Sequence, residues 1–147
     1  CHIAEVEIDP ETGQIEILRY TVTDEFGTLI NPMLVAGQVH GGVVQGIGQV
    51  MGERMLWDAE GQPQTASLMD YQMPRAADLP GFDVAFLSAP AGTNPLGVKG
   101  CGEAGCCGGI PSTTLAVLDA LSQGGVTELE TPFTPFRVWE ALRQAQA

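Results

Sequence analysis

Asn94-Pro95-Leu96-Gly97-Val98-Lys99-Gly100-Cys101-Gly102-Glu103-Ala104-Gly105-Cys106-Cys107-Gly108-Gly109 is the stretch on which the reading of this chain turns. It holds six glycines, three cysteines, one lysine and one carboxylate. Glycine costs about 1 kcal/mol relative to alanine in a helix interior and packs nothing of its own. Such a run is read as a loop whose backbone passes close to a ligand or to another backbone. Glu103 is the single acid between Asp83 and Asp119, so the loop aims one carboxylate into a backbone-lined space.

Upstream, Ile3-Ala4-Glu5-Val6-Glu7-Ile8-Asp9 alternates apolar with polar or small residues. Pro10-Glu11-Thr12-Gly13 is a turn, and Gln14 to Thr23 resumes the alternation. The pattern predicts an antiparallel hairpin. From Pro32 to Met55, Val35, Val39, Val43, Ile47, Val50 and Met51 recur at helical spacing, interleaved with six glycines. Tertiary packing must hold so glycine-rich a helix. Gln38, Gln45 and Gln49 set amides among its apolar positions, which suits a polar ligand rim. Residues 64–73 suggest a short extended segment, and Asp83 to Ser88 a strand.

Downstream of the glycine stretch, Pro111-Ser112-Thr113-Thr114 offers caps for a helix through Leu115, Leu118 and Leu121, ending at Gly124-Gly125. Val126 to Leu129 reads as a short strand. Thr134 caps a last helix with Pro135 in its first position. The expected fold class is α+β: a β-hairpin and short strands packed with a glycine-rich helix and two C-terminal helices. Residues 1–147 are expected to form one such unit. Cys1-His2-Ile3 reads as a strand already under way, which suggests a piece of something longer.

Hydrophobic residues make up 44% and charged residues 16% of the chain, too apolar for a disordered one. The formal net charge of -12, with no basic run, argues against nucleic acid and against anionic membrane surfaces. No apolar run reaches membrane-spanning length. Cysteines at 1, 101, 106 and 107 lack the even spread of a disulfide framework, so a reducing, cytoplasmic setting is the better reading.

Gly100-x-Gly102-x-x-Gly105 matches a dinucleotide-binding pattern, but no strand runs straight into it. Cys101-x4-Cys106-Cys107 begins like a ferredoxin spacing and then fails it, with Cys1, His2 and His40 as the remaining distant partners. Buried cysteines filling gaps in the loop are the plainer reading. Glu103 could pair with Lys99, four residues earlier, or serve in proton abstraction. The residues alone leave both open.

The stretch from Asn94 to Gly105 resembles the C-terminal signature of the xanthine dehydrogenase, aldehyde oxidase and carbon monoxide dehydrogenase large-subunit family. Ile30-Asn31-Pro32 through Gly48 resembles that family's other C-terminal block, and Ser67 to Tyr71 and Thr134 to Trp139 fit as well. The resemblance implies a molybdenum hydroxylase subunit acting on an aldehyde, N-heterocycle or related small molecule. Its cofactor would be molybdopterin, including the cytosine dinucleotide form. Glu103 is then the catalytic general base, and Gln38 contacts the pterin. Lys99, Gly100, Cys101 and Gly102 supply backbone beside the metal site, and no residue here ligates the metal. FAD and 2Fe-2S clusters are expected on partner subunits or domains, with the remainder of the molybdopterin-binding subunit as a further partner. Apolar surface left bare would favour self-association into a homodimer. Cys106-Cys107-Gly108-Gly109 departs from the family pattern and reads as packing variation. A degenerate domain with an assembly role and no activity is the alternative, which the retained glutamate and glutamine disfavour.

Overall fold

The computed structural model describes residues 1–146. The alternating N-terminal residues form strand β1 (His2–Ile8) and strand β2 (Ile15–Glu25), paired antiparallel. Asp9 closes their turn by accepting the Glu11 amide at 2.9 Å and the Thr12 hydroxyl at 2.7 Å. Gly13 completes it at φ +73°, pressed so closely on the start of the last helix that a Cβ would lie 2.1 Å from the Pro135 carbonyl oxygen. The pairing register slips between Glu5 and Val6, leaving Leu18 as the extra residue on β2. This bulge carries Ile17 and Tyr20, an odd number of residues apart, onto the same buried face, while Leu18 is exposed. A strict two-residue repeat does not contain that step.

Strand β3 (Phe82–Leu87) adds to β2 in parallel, with Tyr20 opposite Phe82 and Val22 opposite Val84. The crossover between them contains helix α1 (Pro32–Met51). Asn31 caps α1 by accepting the Leu34 amide at 3.1 Å, and Pro32 occupies the first turn. Val39, Val43 and Ile47 of α1 meet Ile17, Tyr20, Val22 and Phe26 in one core cluster. A second joins Val50 to Val117 and Leu121 of helix α2 (Ala104–Ser122) and to Val138 and Leu142 of helix α3 (Pro135–Ala145).

The helix expected from the Pro111 caps onward begins earlier, at Ala104, and takes in Cys106, Cys107, Gly108, Gly109 and Pro111. The last six residues of the expected loop, 104–109, are therefore helix. Local propensity opposes this, since glycine costs about 1 kcal/mol and interior proline about 3. Contact with α1 overrides it. A Cβ on Gly42 would sit 3.0 Å from the Cys106 nitrogen, and one on Gly46 2.9 Å from the Ile110 nitrogen. From the other side, a Cβ on Gly105 would sit 2.5 Å from the Val39 carbonyl oxygen. Glycines on both helices let the backbones touch, and close-packed backbone recovers what propensity loses. By length and composition α2 could pass for a membrane span, yet Gly105, Gly109, Thr113, Val117 and Leu121 are buried within the protein.

Other expectations are corrected as well. Residues 126–129 form no strand, because Val126 instead turns into the second core cluster. Residues 64–73 form bends and turns rather than an extended segment, with Ser67 holding the Asp70 and Tyr71 amides through its carbonyl. Thr134 takes the extended cap conformation, but its side chain makes no capping bond. The helical spacing traced to Met55 ends at Met51.

In urea unfolding, Gly105→Ala is expected to lose about 1–3 kcal/mol by overpacking against Val39. Gly41→Ala, also on α1 but facing open space, is expected to gain about 0.5–1 kcal/mol.

Candidate active-site wall

The first half of the glycine stretch is a true loop, and its approach is tied down before it reaches Glu103. Asn94 brackets the turn with both ends of its amide, donating to the Val98 carbonyl at 3.0 Å and accepting the Val98 amide at 3.1 Å. Gly97, at φ +66°, turns its carbonyl to accept Thr28 and Ala91 amides, both at 3.0 Å. Its carbonyl also lies where a Cβ on Gly27 would fall. The Lys99 amide donates to the Phe26 carbonyl at 3.1 Å. After Lys99 these ties stop. Gly100 and Gly102 have open space where a side chain would be.

Glu103 then stands at the N-cap of α2, exposed. The expected burial of its loop does not extend to its side chain. Lys99 does not pair with it either: the Lys99 ammonium is bonded to Glu25 at the end of β2. That ion pair first, and the Gly27 amide next, hold the Glu25 carboxyl below the usual carboxylate range. Among the described residues, no hydrogen bond or ion pair engages the Glu103 carboxylate.

Gln38 and Gly102, 64 residues apart, are brought together. The Gln38 side-chain amide donates to the Gly102 carbonyl at 3.1 Å. Gly37 and Gly41 flank Gln38 on α1 and, like Gly100 and Gly102, open onto space rather than packing. The glycines thus divide by task. Gly42, Gly46, Gly105 and Gly109 join the helices, while the other four leave a bare backbone surface around Gln38 and Glu103. No side chain caps the first turn of α2 beside it, so its amides face outward with the positive end of the helix dipole. Gln45 and Gln49 are exposed farther along α1.

The cysteines meet the expected packing role only in part: Cys101 is half-buried and packs against the first core cluster, Cys106 is half-buried, and Cys1 and Cys107 are exposed. Burial first, then Cys107 and Glu103, push the Cys106 thiol up, so it is held as the neutral thiol. His40 stacks edge-on against Phe82, 5.6 Å between centroids.

A buried polar chain escaped the sequence reading. The ring nitrogens of His2 face the Tyr20 hydroxyl at 3.0 Å and Asp24 Oδ1 at 3.2 Å. Tyr20 in turn lies 2.6 Å from Ser112 Oγ, which donates to the Gly108 carbonyl at 2.7 Å. A carbonyl only accepts, so the serine proton is committed there and Tyr20 donates to Ser112. His2 Nδ1 then donates to Tyr20, and Asp24 Oδ1 faces Nε2 at the far end of the chain. This chain pins α2 to the sheet, with the His2 ring occupying the space that a side chain on Gly108 would need. Its bonded side-chain pairs lie 18 to 92 residues apart in sequence, and no local motif marks them.

Comparison with known proteins gives this wall a family. Residues 1–80 match the family described as molybdopterin cofactor-binding domain. The chain belongs to that family. It is 39% identical, over 97% of its length, to the carbon monoxide dehydrogenase large chain of Hydrogenophaga pseudoflava, and 38% identical, again over 97%, to the nicotine 6-hydroxylase large subunit of Paenarthrobacter nicotinovorans. The crystal structure of quinoline 2-oxidoreductase from Pseudomonas putida 86 superposes with a TM-score of 0.93 over 98% of this chain at 36% identity. The chain spans 18% of the carbon monoxide dehydrogenase chain, 17% of the hydroxylase subunit and 18% of the quinoline enzyme's chain.

Burial first, with the Asp24 charge acting in the same direction, raises Tyr20 above the ordinary tyrosine value. The native state therefore keeps this proton at a pH where the unfolded chain releases it. Stability is expected to fall as pH rises through the tyrosine range and above it. Ultraviolet titration checks this: a phenol ionising late in the parent should be missing from Tyr20→Phe. That variant is expected to lose about 1–3 kcal/mol by leaving its buried partners unsatisfied.

Proposed function

We propose that this chain forms one wall of the active site of a molybdenum hydroxylase, with Glu103 as general base and Gln38 as a cofactor contact. The observation that carries this reading is the bond from Gln38 to the Gly102 carbonyl, which joins the two motif blocks on one open, glycine-lined surface. The residues suit a pterin cofactor. A flat, polar, anionic group needs bare backbone, amide donors and no obstructing Cβ, and Gly37, Gly41, Gly100 and Gly102 meet that need beside the uncapped start of α2. Lys99, Gly100, Cys101 and Gly102 would offer main chain to it, and Gln38 a carboxamide.

When bound, the cofactor supplies the two-electron redox chemistry of hydroxylation. Glu103 contributes by accepting a proton on a carboxylate oxygen as the nucleophile is activated. Its freedom from Lys99 leaves that carboxylate available. The substrate would be an electron-poor small molecule such as an aldehyde or N-heterocycle. The reaction's electrons would leave through 2Fe-2S and FAD groups on partner subunits. The cytosine dinucleotide form of the cofactor belongs to this reading too.

The site is open because one wall does not make a pocket. Ile30, Met33, Leu34 and Leu96 are exposed at the start of α1 and in the glycine loop. We assign their cover to the remainder of a larger molybdopterin-binding subunit, of which residues 1–147 would be the C-terminal α+β unit. Alone, the chain would be inactive, and its bare apolar surface would favour homodimers. Four unpaired thiols accord with a reducing, cytoplasmic setting.

The test is Glu103→Gln in the molybdenum-loaded enzyme that contains this chain. Turnover is expected to fall by roughly 10²- to 10⁴-fold, with molybdenum and pterin content unchanged. Turnover near the parent value would contradict the general-base role.

A further inference from the structure

We infer that Glu25 is a positioning residue for the catalytic loop, one that holds the Lys99 ammonium away from Glu103. The inference rests on the reading of Glu103 as the base. Glu25 closes β2, and its carboxylate gathers donors from three segments. One oxygen accepts the Gly27 amide and, at 3.1 Å, the Ala89 amide 64 residues on. The other accepts the Lys99 ammonium, 74 residues on. One side chain thus ties the end of the sheet to both the approach and the interior of the glycine stretch.

The loop beyond Lys99 has few anchors of its own. Gly100 and Gly102 are exposed, with nothing where a side chain would pack. The course of residues 100–102 is therefore set by three holds: Lys99, through its amide to Phe26 and its ammonium to Glu25; Cys101, half-buried against the first core cluster; and Gly102, held by Gln38. Glu103 is the next residue. The charged and titratable groups around this span are Glu25 on β2, Lys99, the Cys101 thiol and Glu103 on the loop, and the Cys106 and Cys107 thiols on α2. Once Lys99 is released from Glu25, the next carboxylate along the loop is Glu103, four residues ahead. An ammonium beside that base would favour its ionised form and weaken its hold on a proton. Glu25 therefore acts twice, fixing the loop's geometry and occupying the cation that would otherwise quench it.

Glu25→Gln tests this with little change of shape, since the amide oxygen still accepts backbone N–H groups while the ion pair is lost. In the molybdenum-loaded enzyme, kcat is expected to fall roughly tenfold, with KM and molybdenum content held. The acid limb of the rate profile should move to lower pH. Adding Lys99→Met should return that limb to its parent position, which a merely loosened loop would not do. Independently of turnover, amide hydrogen exchange over residues 97–103 should quicken on the order of tenfold in Glu25→Gln. Parent-like exchange and an unmoved acid limb, in an enzyme that Glu103→Gln inactivates, would overturn the role of Glu25 alone. An active Glu103→Gln enzyme would overturn the base reading instead, while the exchange measurement would still decide whether Glu25 latches the loop.

Discussion

The rest of the structure depends on the contact between two pairs of glycines. Gly42 and Gly46 of α1 lie against Gly105, Cys106, Gly109 and Ile110 of α2, so the two helices run side by side in the same direction with almost no side-chain spacer. The matching positions keep one offset along both helices. Continued toward the N-termini, it sets Gln38 opposite Gly102 and brings the start of α2, with Glu103, alongside α1. Backbone contact of this kind tolerates no added carbon and no slip by a residue. It therefore fixes the relative height of two polar groups that share no sequence neighbourhood. The buried chain from Asp24 through His2 and Tyr20 to Ser112 braces the same helix from the sheet side.

Much of this was legible in the residues. The hairpin showed through its two-residue repeat, the last helix through Thr134-Pro135, and the close approach of backbone through the glycines themselves. The boundary of α2 was not, because Gly105, Gly108, Gly109 and Pro111 argue locally against helix and only α1 reverses that judgement. Likewise, β3 joins β2 across a crossover that no local pattern declares, and the Leu18 bulge is fixed by pairing with β1 rather than by its own neighbours. Lys99 is the sharpest case. Spacing offered Glu103 as its partner, while the fold supplied Glu25 from the end of another element. Glu103 and Gln38 were named by resemblance, and their common surface is a product of the helix register.

The site reads as an exposed wall rather than an enclosed cavity. Its polar groups are few, and bare backbone does most of the lining. A broad groove elsewhere on the molecule, between α1 and the segment around Met69 to Pro74, contains none of the proposed site residues. On the proposed reading the site is instead the open, glycine-lined surface around the Glu103 carboxylate, which would need a second wall to close it.

The most direct measurement is a crystal structure of the cofactor-loaded enzyme containing this chain. The account predicts pterin against the surface formed by Gly37, Gly41, Gly100 and Gly102, with the Gln38 amide in contact with it and a Glu103 carboxylate oxygen facing the molybdenum site. A cofactor bound elsewhere, or Glu103 turned into an ion pair with Lys99, would contradict it.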